Sequence, residues 1–223
     1  GNDLESISGQ VASGSNMIFF VTGNGSITNF PFVPTIKIVT TSGRYSMLKN
    51  DMDVDAGVYL DGTPMEQLGG QMFNLMIGVA SGKPSVGERA GHSQVSLWRD
   101  WKQTGQTDLQ SVAAASEIRD GASIPIKVDT PTQSPTFQAV QMEDSYRSNQ
   151  IGLILPTSLC SGQIAQMIAN RLNNRELGRE KGITRYVALA HTEGCGVSSG
   201  QSEEIYTRTL VGHLTHPAVA LGM

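Results

Sequence analysis

Three reactive side chains, His191, Glu193 and Cys195, lie within five residues of one another. An imidazole, a carboxylate and a thiol can bind a divalent metal or transfer a proton. Two glycines in the same stretch allow the tight backbone that would bring these groups together. The spacing is not that of a paired-cysteine zinc motif, so a metal site here would need further ligands. Cys160 and His213 are candidates for them.

A second group of polar side chains, Thr157, Ser158, Cys160 and Ser161, precedes a predicted helix. The free N–H groups and the dipole at a helix amino end favour an anion such as a carboxylate or a phosphate. An ordinary helix cap made by one of the serines is the simpler interpretation, and the spacing alone favours it. Gly162 lacks the partner glycines of a nucleotide-binding loop.

Two other sets of residues have the chemistry of metal ligands. Asp51, Asp53 and Asp55 alternate with apolar residues, so a strand would direct all three carboxylates to one side. Hard cations prefer such oxygens, but a solvated acidic loop is the simpler interpretation of the run. His213 and His216 are three residues apart and could share a ligand, although a histidine before Pro217 more simply complements the helix dipole.

Two cations could bind a carboxylate. Lys37 is the lone charge in an apolar strand, where burial would lower its pKa and suit it to act as a base or a carboxylate anchor. Protection of an edge strand is the alternative role. Arg89 lies beside an acid and a histidine and could hold a carboxylate with two hydrogen bonds. Trp98 and Trp101 are expected to anchor a core.

The elements that must position these residues begin with two predicted strands, at residues 17–22 and 36–41, the first of them buried. Thr63 and Pro64 predict the cap and the first residue of a helix that ends at Gly82. Its apolar face would comprise Leu68, Met72, Leu75, Met76 and Val79.

The clearest pattern follows residue 150. Strands at residues 151–155 and 186–190 alternate with two helices, the second of them at residues 202–214. The first helix would bury one face, formed by Ile164, Met167, Ile168 and Leu172. This order predicts an α/β fold with a mostly parallel sheet and Rossmann-like alternation of strands and helices. Both loops would then leave from the carboxyl ends of parallel strands, which places Cys160 and His191 at one edge.

Composition divides the chain into residues 1–104, a connector at 105–149 and residues 150–223. The connector is rich in Gln, Ser, Thr and Pro. It could hold a short helix over 109–118 and a hairpin-like pair at 124–128 and 137–142. Whether the flanking segments are one domain or two stays open.

The composition also excludes some functions. A 39% hydrophobic content over 223 residues suffices for a core, and a net charge of −4 without a basic cluster makes nucleic acid an unexpected partner. The apolar runs are far shorter than the roughly 20 residues that span a membrane. With no signal-peptide pattern and two cysteines in polar loops, the cytoplasm is the expected location.

Several phrases of the sequence resemble the galactarate/altronate dehydratase family. Residues 22–26 (TGNGS), 33–37 (VPTIK) and 52–57 (MDVDAG) resemble its carboxyl-terminal module, and residues 191–196 (HTEGCG) resemble its middle module. The two modules occur here in the reverse of the family order, which favours a fragment or a rearranged relative. Asn24 also stands where the family pattern has arginine.

The resemblance implies a metal-assisted elimination of water from a sugar acid such as galactarate or altronate, giving a 2-keto-3-deoxy acid. Ferrous iron is the implied metal, although Mg²⁺, Mn²⁺ or Ca²⁺ would suit the carboxylates better. With the residues above, it makes His191, Glu193 and Lys37 the catalytic candidates, Arg89, Thr157, Ser158, Ser161, Gly25 and Ser26 the substrate-binding candidates, and Cys195, Cys160, Asp53, Asp55 and His213 the metal-ligand candidates.

Two alternatives stay open beside the dehydratase. A related branch of the family, the sulfolactate sulfo-lyases, would run the same elimination but release sulfite. A non-catalytic module would bind a sugar acid or a partner subunit while the remaining catalytic groups lie on another segment. The expected partners are therefore a small sugar acid and, for the protein itself, either further copies or other modules of a longer polypeptide.

Overall fold

The computed structural model describes residues 2–99, 134–142, 145–193 and 200–223. Within these residues, strands form two three-stranded parallel sheets and one short antiparallel pair. The strands are β1 (Ile18–Thr22), β2 (Thr35–Val39), β3 (Val54–Asp55), β4 (Val140–Gln141), β5 (Tyr146–Arg147), β6 (Ile151–Ile154), β7 (Arg185–Ala188) and β8 (Val219–Gly222). The first sheet has the order β1-β2-β3 and the second has the order β7-β6-β8.

Helices connect these strands. They are α1 (Asp3–Ala12), α2 (Ser42–Leu48), α3 (Met65–Ala80), α4 (Val86–Arg89), α5 (Leu159–Asn174) and α6 (Gln201–Leu214), with single 3-10 turns at Gly57–Tyr59 and Arg179–Lys181. The fold is α/β with parallel sheets, as the sequence predicted. No helix among the described residues is long and apolar enough to cross a membrane.

One hydrophobic core joins the two halves of the chain. Helix α1 packs on α6, and both sheets contribute buried side chains to the same cluster. Its members are Ile7, Val11, Ile18, Phe30, Phe32, Val33, Val95, Leu97, Ile151, Leu153, Val187, Leu189 and Leu210. Because burial of apolar surface is the main stabilising term in folding, each half stabilises the other.

The first sheet confirms both predicted strands and corrects the burial of one. All five residues of β2 are buried, whereas β1 is an edge strand whose Phe19 and Val21 are 46% and 62% exposed. Side chains alternate between the two faces of a strand, and Ile18 faces the shared core. The prediction that β1 is buried throughout was therefore wrong.

Helix α3 has the predicted apolar face but begins at Met65, so that Pro64 and not Thr63 is its cap residue. Its inward residues pack with Ile36, Ile38 and Val54 of the first sheet. The helix ends at Ala80, and Gly82, which was predicted to stop it, follows two residues later with a φ of +96° that suits glycine.

Helix α5 buries a different face from the predicted one. Ile164 and Met167 are 58% and 59% exposed, while Gly162, Ala165 and Ala169 are buried. The physical reason is close packing of the helix against the second sheet, since a Cβ at Gly162 would lie 3.4 Å from that of Ala190. Small residues fit this contact, while Ile164, Met167 and Ile168 are exposed; of the predicted face only Leu172 packs against the core.

The second sheet has the predicted parallel pair β6 and β7 and adds β8, which was not predicted, on the other side of β6. In the connector, the predicted helix at 109–118 and strand at 124–128 lie outside the described residues. Part of 137–142 does form a hairpin, but β4 pairs with the later strand β5.

Candidate functional site

The loops that follow β6 and β7 contact each other through His191. Its buried ring makes a 2.9 Å hydrogen bond from Nε2 to the Pro156 carbonyl, and Nδ1 accepts one from the Glu193 N–H at 3.2 Å. A carbonyl can only accept, so Nε2 carries the proton and Nδ1 the lone pair. Burial lowers the pKa of His191, opposed by the Pro156 carbonyl and the Glu193 carboxylate. The predicted shared edge is confirmed, with a neutral imidazole in it.

The Glu193 carboxylate is buried and paired with Arg99. Both Nε and one terminal nitrogen of the guanidinium contact the same carboxylate oxygen. The hydrogen bond and charge of Glu193 raise the pKa of Arg99. The Glu193 carbonyl accepts from the N–H of Leu159, which ties the loop to the start of α5. Arg99 was missed from the sequence because its partner is 94 residues away.

Tyr206 of α6 completes this group of side chains. Its ring lies edge-on to that of His191, with 5.9 Å between the centroids, and its hydroxyl donates to the Thr157 carbonyl at 2.6 Å. Burial and the charge of Glu193 raise the pKa of Tyr206. We call Pro156, Thr157, His191, Glu193, Arg99 and Tyr206 the loop-edge cluster.

The hydroxyls before α5 form the ordinary cap that the spacing favoured. The Ser161 hydroxyl donates to the Ser158 carbonyl at 2.9 Å and accepts from the Ser158 N–H at 3.3 Å. Thr157 and Cys160 are exposed. Cys195 lies outside the described residues, so its distance from Cys160 is not defined.

Lys37 lies in a second cluster, in the first half of the chain. Its side chain is fully buried, and Nζ has no hydrogen-bond partner among the described residues. Burial lowers the pKa of Lys37, although the charges of Asp53 and Asp51 oppose the shift. The cation predicted from its apolar strand is therefore buried, and no described residue is its hydrogen-bonded counterion.

Asn29 and Gly87 lie beside the Lys37 amine. A Cβ placed on Gly87 would be 2.5 Å from Lys37 Nζ and 2.6 Å from Asn29 Oδ1. The Asn29 amide nitrogen donates to the carbonyls of Phe30 and His92, each at 3.1 Å. We call Asn29, Lys37, Asp53, Gly87 and His92 the lysine cluster. Neither Asn29 nor Gly87 was singled out in the sequence.

The predicted acidic metal ligands hold backbone groups. Asp53 accepts from the N–H of Lys37 at 2.9 Å and of Val86 at 2.8 Å, so one carboxylate connects β2 with α4. Asp55 accepts from the N–H of Gly57 at 2.9 Å. Both therefore have structural roles.

Gly25 and Ser26 form a turn directly after β1. Their N–H groups donate to the Thr22 hydroxyl at 3.0 and 3.2 Å. Gly25 has a φ of +91°, and a Cβ there would collide with Leu48. The turn thus lies at the carboxyl end of the first sheet, and these two N–H groups are already used within it.

Two other predicted residues belong to neither cluster. His213 is fully buried, 5.3 Å from the ring of Phe30, and burial lowers its pKa to about 4. Arg89 is exposed and donates to the Pro84 carbonyl at 2.8 Å.

Trp98 is 53% exposed, so the prediction that it anchors the core was wrong. It alternates with buried Leu97 along an extended segment and points outward. Trp101 lies outside the described residues.

The described residues do not fit the predicted metal site. Among them, no group of three or more His, Cys, Asp and Glu side chains is placed to hold an ion. Asp53 and Asp55 bind backbone, and His213 packs against phenylalanines. A divalent metal thus stays a prediction whose ligands are not gathered in this part of the chain.

Residues 92–99 connect the two clusters. Gln94 donates its N–H to the Asn29 carbonyl at 3.0 Å, and the Ser96 hydroxyl lies 3.4 Å from that of Thr192. Seven residues of extended chain span at most about 25 Å, which is an upper limit for the distance from His92 to Arg99. The predicted site residues therefore divide between two clusters on one continuous segment.

Two models of one protein family match the chain. The model described as D-galactarate/Altronate dehydratase, C-terminal, matches residues 1–103. The model described as D-galactarate dehydratase/Altronate hydrolase, second domain, matches residues 148–222. The match to the C-terminal model thus precedes the match to the second domain.

Curated relatives carry names from the same family. Altronate dehydratase from Escherichia coli is 32% identical over 99 residues, which are 44% of this chain and 20% of the relative. Galactarate dehydratase (L-threo-forming) from the same organism is 36% identical over 75 residues, or 33% of this chain and 14% of the relative. The (2R)-sulfolactate sulfo-lyase subunit beta of Chromohalobacter salexigens is 29% identical over 89 residues, which are 40% of this chain and 23% of the relative.

The chain thus spans about a fifth of the length of the curated relatives that it matches. The two family models nevertheless cover most of its residues, and the dehydratase relatives agree with them. The chain belongs to the galactarate/altronate dehydratase family.

Proposed function

We propose that the chain forms part of a carbon–oxygen lyase that removes water from a sugar acid such as altronate or galactarate. Two relatives are named as dehydratases of these acids. The observation that carries the proposal is the buried Lys37 amine, which has no hydrogen-bond partner among the described residues. A buried cation needs an anion, and every sugar acid brings a carboxylate.

The reaction determines what the protein must supply. A base removes the proton from the carbon next to the carboxylate, and the neighbouring carbon–oxygen bond breaks. The departing hydroxyl takes up a proton and leaves as water, and the enol that remains becomes a 2-keto-3-deoxy acid. Negative charge builds on the carboxylate during the first step, so a fixed positive charge beside it stabilises the transition state.

Lys37 is suited to that stabilising role. Burial keeps water from the amine, which strengthens its attraction to a bound carboxylate. A carboxylate would also raise the pKa of Lys37 again, because an opposite charge favours the ammonium form. Binding the substrate and charging the lysine would therefore occur together.

The loop-edge cluster supplies candidates for proton transfer. Nδ1 of His191 carries the lone pair, and it is the ring atom that could accept a proton once the Glu193 N–H gives way. Burial keeps the ring neutral and so able to act as a base. The predicted divalent metal is assigned no step, because the described residues do not gather its ligands.

The proposal can be tested by following keto-acid formation from altronate and galactarate. We expect the wild-type chain to form the product and Lys37→Met to lose at least about a hundredfold in kcat/KM, the typical effect of removing a charge stabiliser. Lys49→Met is the matched control, since Lys49 is exposed and should retain wild-type activity.

The contrary outcomes separate the remaining functions. Absence of turnover, with a rise in Tm on adding either acid, would favour the non-catalytic binding module. If neither acid is turned over or changes the Tm, the sugar-acid function is wrong. Metal content of the purified protein, measured by mass spectrometry, tests the predicted iron separately.

A sulfo-lyase is the second candidate, favoured by the sulfolactate relative. Sulfolactate also carries a carboxylate beside a hydroxyl-bearing carbon, so the same anchor would serve. A carbon–sulfur bond would break, and the leaving group would be sulfite. Release of sulfite from sulfolactate, measured with a thiol-disulfide dye, would distinguish this reaction from dehydration.

A further inference from the structure

Two buried polar atoms that have no partner among the described residues, Lys37 Nζ and Asn29 Oδ1, lie beside Gly87. Buried polar groups are nearly always hydrogen-bonded, and one left alone costs about 1–3 kcal/mol. In the described part of the chain the buried side-chain atoms without a partner belong to Ser8, Thr28, Asn29, Lys37, His92 and His213. Four of these residues are connected through Asn29: Thr28 precedes it in sequence, His92 accepts its hydrogen bond, and Lys37 lies with it beside Gly87.

The orientation of the Asn29 side chain is fixed. Its amide nitrogen uses both hydrogens, one on the Phe30 carbonyl and one on the His92 carbonyl. A flipped amide would direct an oxygen at two carbonyls, so the oxygen must be Oδ1, beside Gly87. Its backbone is held as well, because the Asn29 N–H donates to Gln94 Oε1 at 3.1 Å.

Lys37 and Asn29 thus hold a donor and an acceptor close together against the Gly87 backbone. Nζ and Oδ1 both lie within 2.6 Å of the point that a Cβ of Gly87 would occupy. The protonated amine can donate hydrogen bonds but cannot accept them, whereas Oδ1 can accept but cannot donate. A ligand that satisfies both must therefore offer an acceptor and a donor close together. A carboxylate beside a hydroxyl has this arrangement.

We propose that Lys37 and Asn29 recognise the 2-hydroxy carboxylate end of the substrate, with a carboxylate oxygen on Nζ and the hydroxyl donating to Oδ1. The inference rests on the proposed function and adds Asn29 as the residue that selects a hydroxy acid. A plain carboxylic acid would leave Oδ1 unpaired in a buried site, which is how enzymes reject a substrate without its hydroxyl.

Gly87 has a defined part in this recognition. A methyl group at residue 87 would clash with both Nζ and Oδ1, so at least one of them would have to move. The side chains could shift, but Asn29 is held by its two hydrogen bonds. Gly87→Ala should thus weaken binding with no change of charge.

The test is calorimetric titration with galactarate and with adipate, the six-carbon diacid that lacks hydroxyls. We expect the wild-type chain to bind galactarate at least about tenfold more tightly than adipate. Lys37→Met should bind neither, and Gly87→Ala should lose at least about tenfold in affinity for galactarate. Gly43→Ala is the matched control, because no described residue outside its own stretch of helix lies within 4 Å of its Cβ position, and it should bind as the wild type does.

Equal binding of the two diacids would overturn the inference, as would wild-type affinity in Gly87→Ala or the absence of binding to the wild-type chain. The comparison of ligands needs no variant, so it remains decisive if a substitution unfolds the protein. Tight, hydroxyl-dependent binding without keto-acid formation would refute the lyase reaction and leave the recognition intact. Turnover together with equal binding of the two diacids would support the lyase reaction and refute the recognition of the hydroxyl.

Discussion

Lys37 and His213 are both fully buried, but only one of them has a partner on its proton-bearing end. Nε2 of His213 lies 2.9 Å from the Ser8 carbonyl, whereas Nζ of Lys37 has no partner among the described residues. Burial lowers the pKa of both groups because it disfavours the charged form. Each residue therefore binds its proton less tightly in the folded protein than in the unfolded one.

Lys37→Met is expected to stabilise the protein while it removes function. Methionine has a similar length and no polar atom to bury, so the free energy of unfolding in urea at pH 7 should rise by about 1–3 kcal/mol. Lys49→Met, at an exposed position, should change it by less than about 0.5 kcal/mol. A destabilised Lys37→Met protein would show that the amine has a structural partner.

His213 should make stability depend on acid. The unfolded histidine takes up a proton near its ordinary pKa of 6.5, while the folded one does so near 4. Stability is therefore lost as the pH falls from about 6.5 to about 4, by on the order of 3 kcal/mol for this residue, and the loss levels off below that range. Burial also lowers the pKa of His191 and His216, so they add losses of the same sign.

The corresponding measurement is urea unfolding of wild type and His213→Gln between pH 7.5 and pH 4. Glutamine keeps a donor for the Ser8 carbonyl but does not titrate in this range. We expect a shallower fall in stability for the variant than for the wild type. Identical slopes would mean that His213 is not the source.

At the scale of elements, apolar runs and helical periodicity sufficed for β1, β2, β6, β7, α3, α5 and α6. The short strand β8, which follows Pro217, has no such pattern, and α1 and α2 were not predicted. The buried face of α5 was wrong because periodicity favours large side chains, whereas the sheet accepts small ones. The shape of the sheet surface determines which face of the helix packs closely against it, and the helix sequence alone does not reveal that shape.

Substitutions on the two faces of α5 test that correction. Ile164→Gln, at an exposed position, should change the free energy of unfolding by less than about 0.5 kcal/mol. Ala169→Leu should lower it by about 1–3 kcal/mol, because the added atoms must enter a closely packed contact. Urea denaturation of both variants decides the matter, and the opposite ranking would restore the original assignment of the buried face.

The candidate site was predictable only where one residue was unusual in its own segment. Lys37 stands out as a charge in an apolar strand, and His191 follows a strand directly. Asn29 could be recognised as a site residue only from its contact with His92, which is 63 residues away, and Arg99 only from its contact with Glu193. Such pairs depend on how the two sheets come together, which a single sequence does not reveal.

At the scale of the whole molecule, the shared core predicts that the two halves unfold together. Leu153 lies in the second sheet and packs in the same cluster as Val11 of α1. Leu153→Ala should cost about 2–5 kcal/mol and should shift the unfolding curves from circular dichroism and from tryptophan fluorescence equally. Two separated transitions would contradict a common core. The reversed module order would then be explained by independent units.

The four-residue helix α4 holds Gly87 against the Lys37 amine and the Asn29 amide, and this contact affects how fast a ligand can arrive. Since Asn29 and Lys37 are buried, a ligand can reach them only after a covering segment moves, and α4 is one segment in contact with both. The observed association rate should therefore stop rising at high ligand concentration, at a ceiling equal to the opening rate of the cover. The same cover would slow escape, so residence time, more than encounter, would determine which acids stay long enough to react.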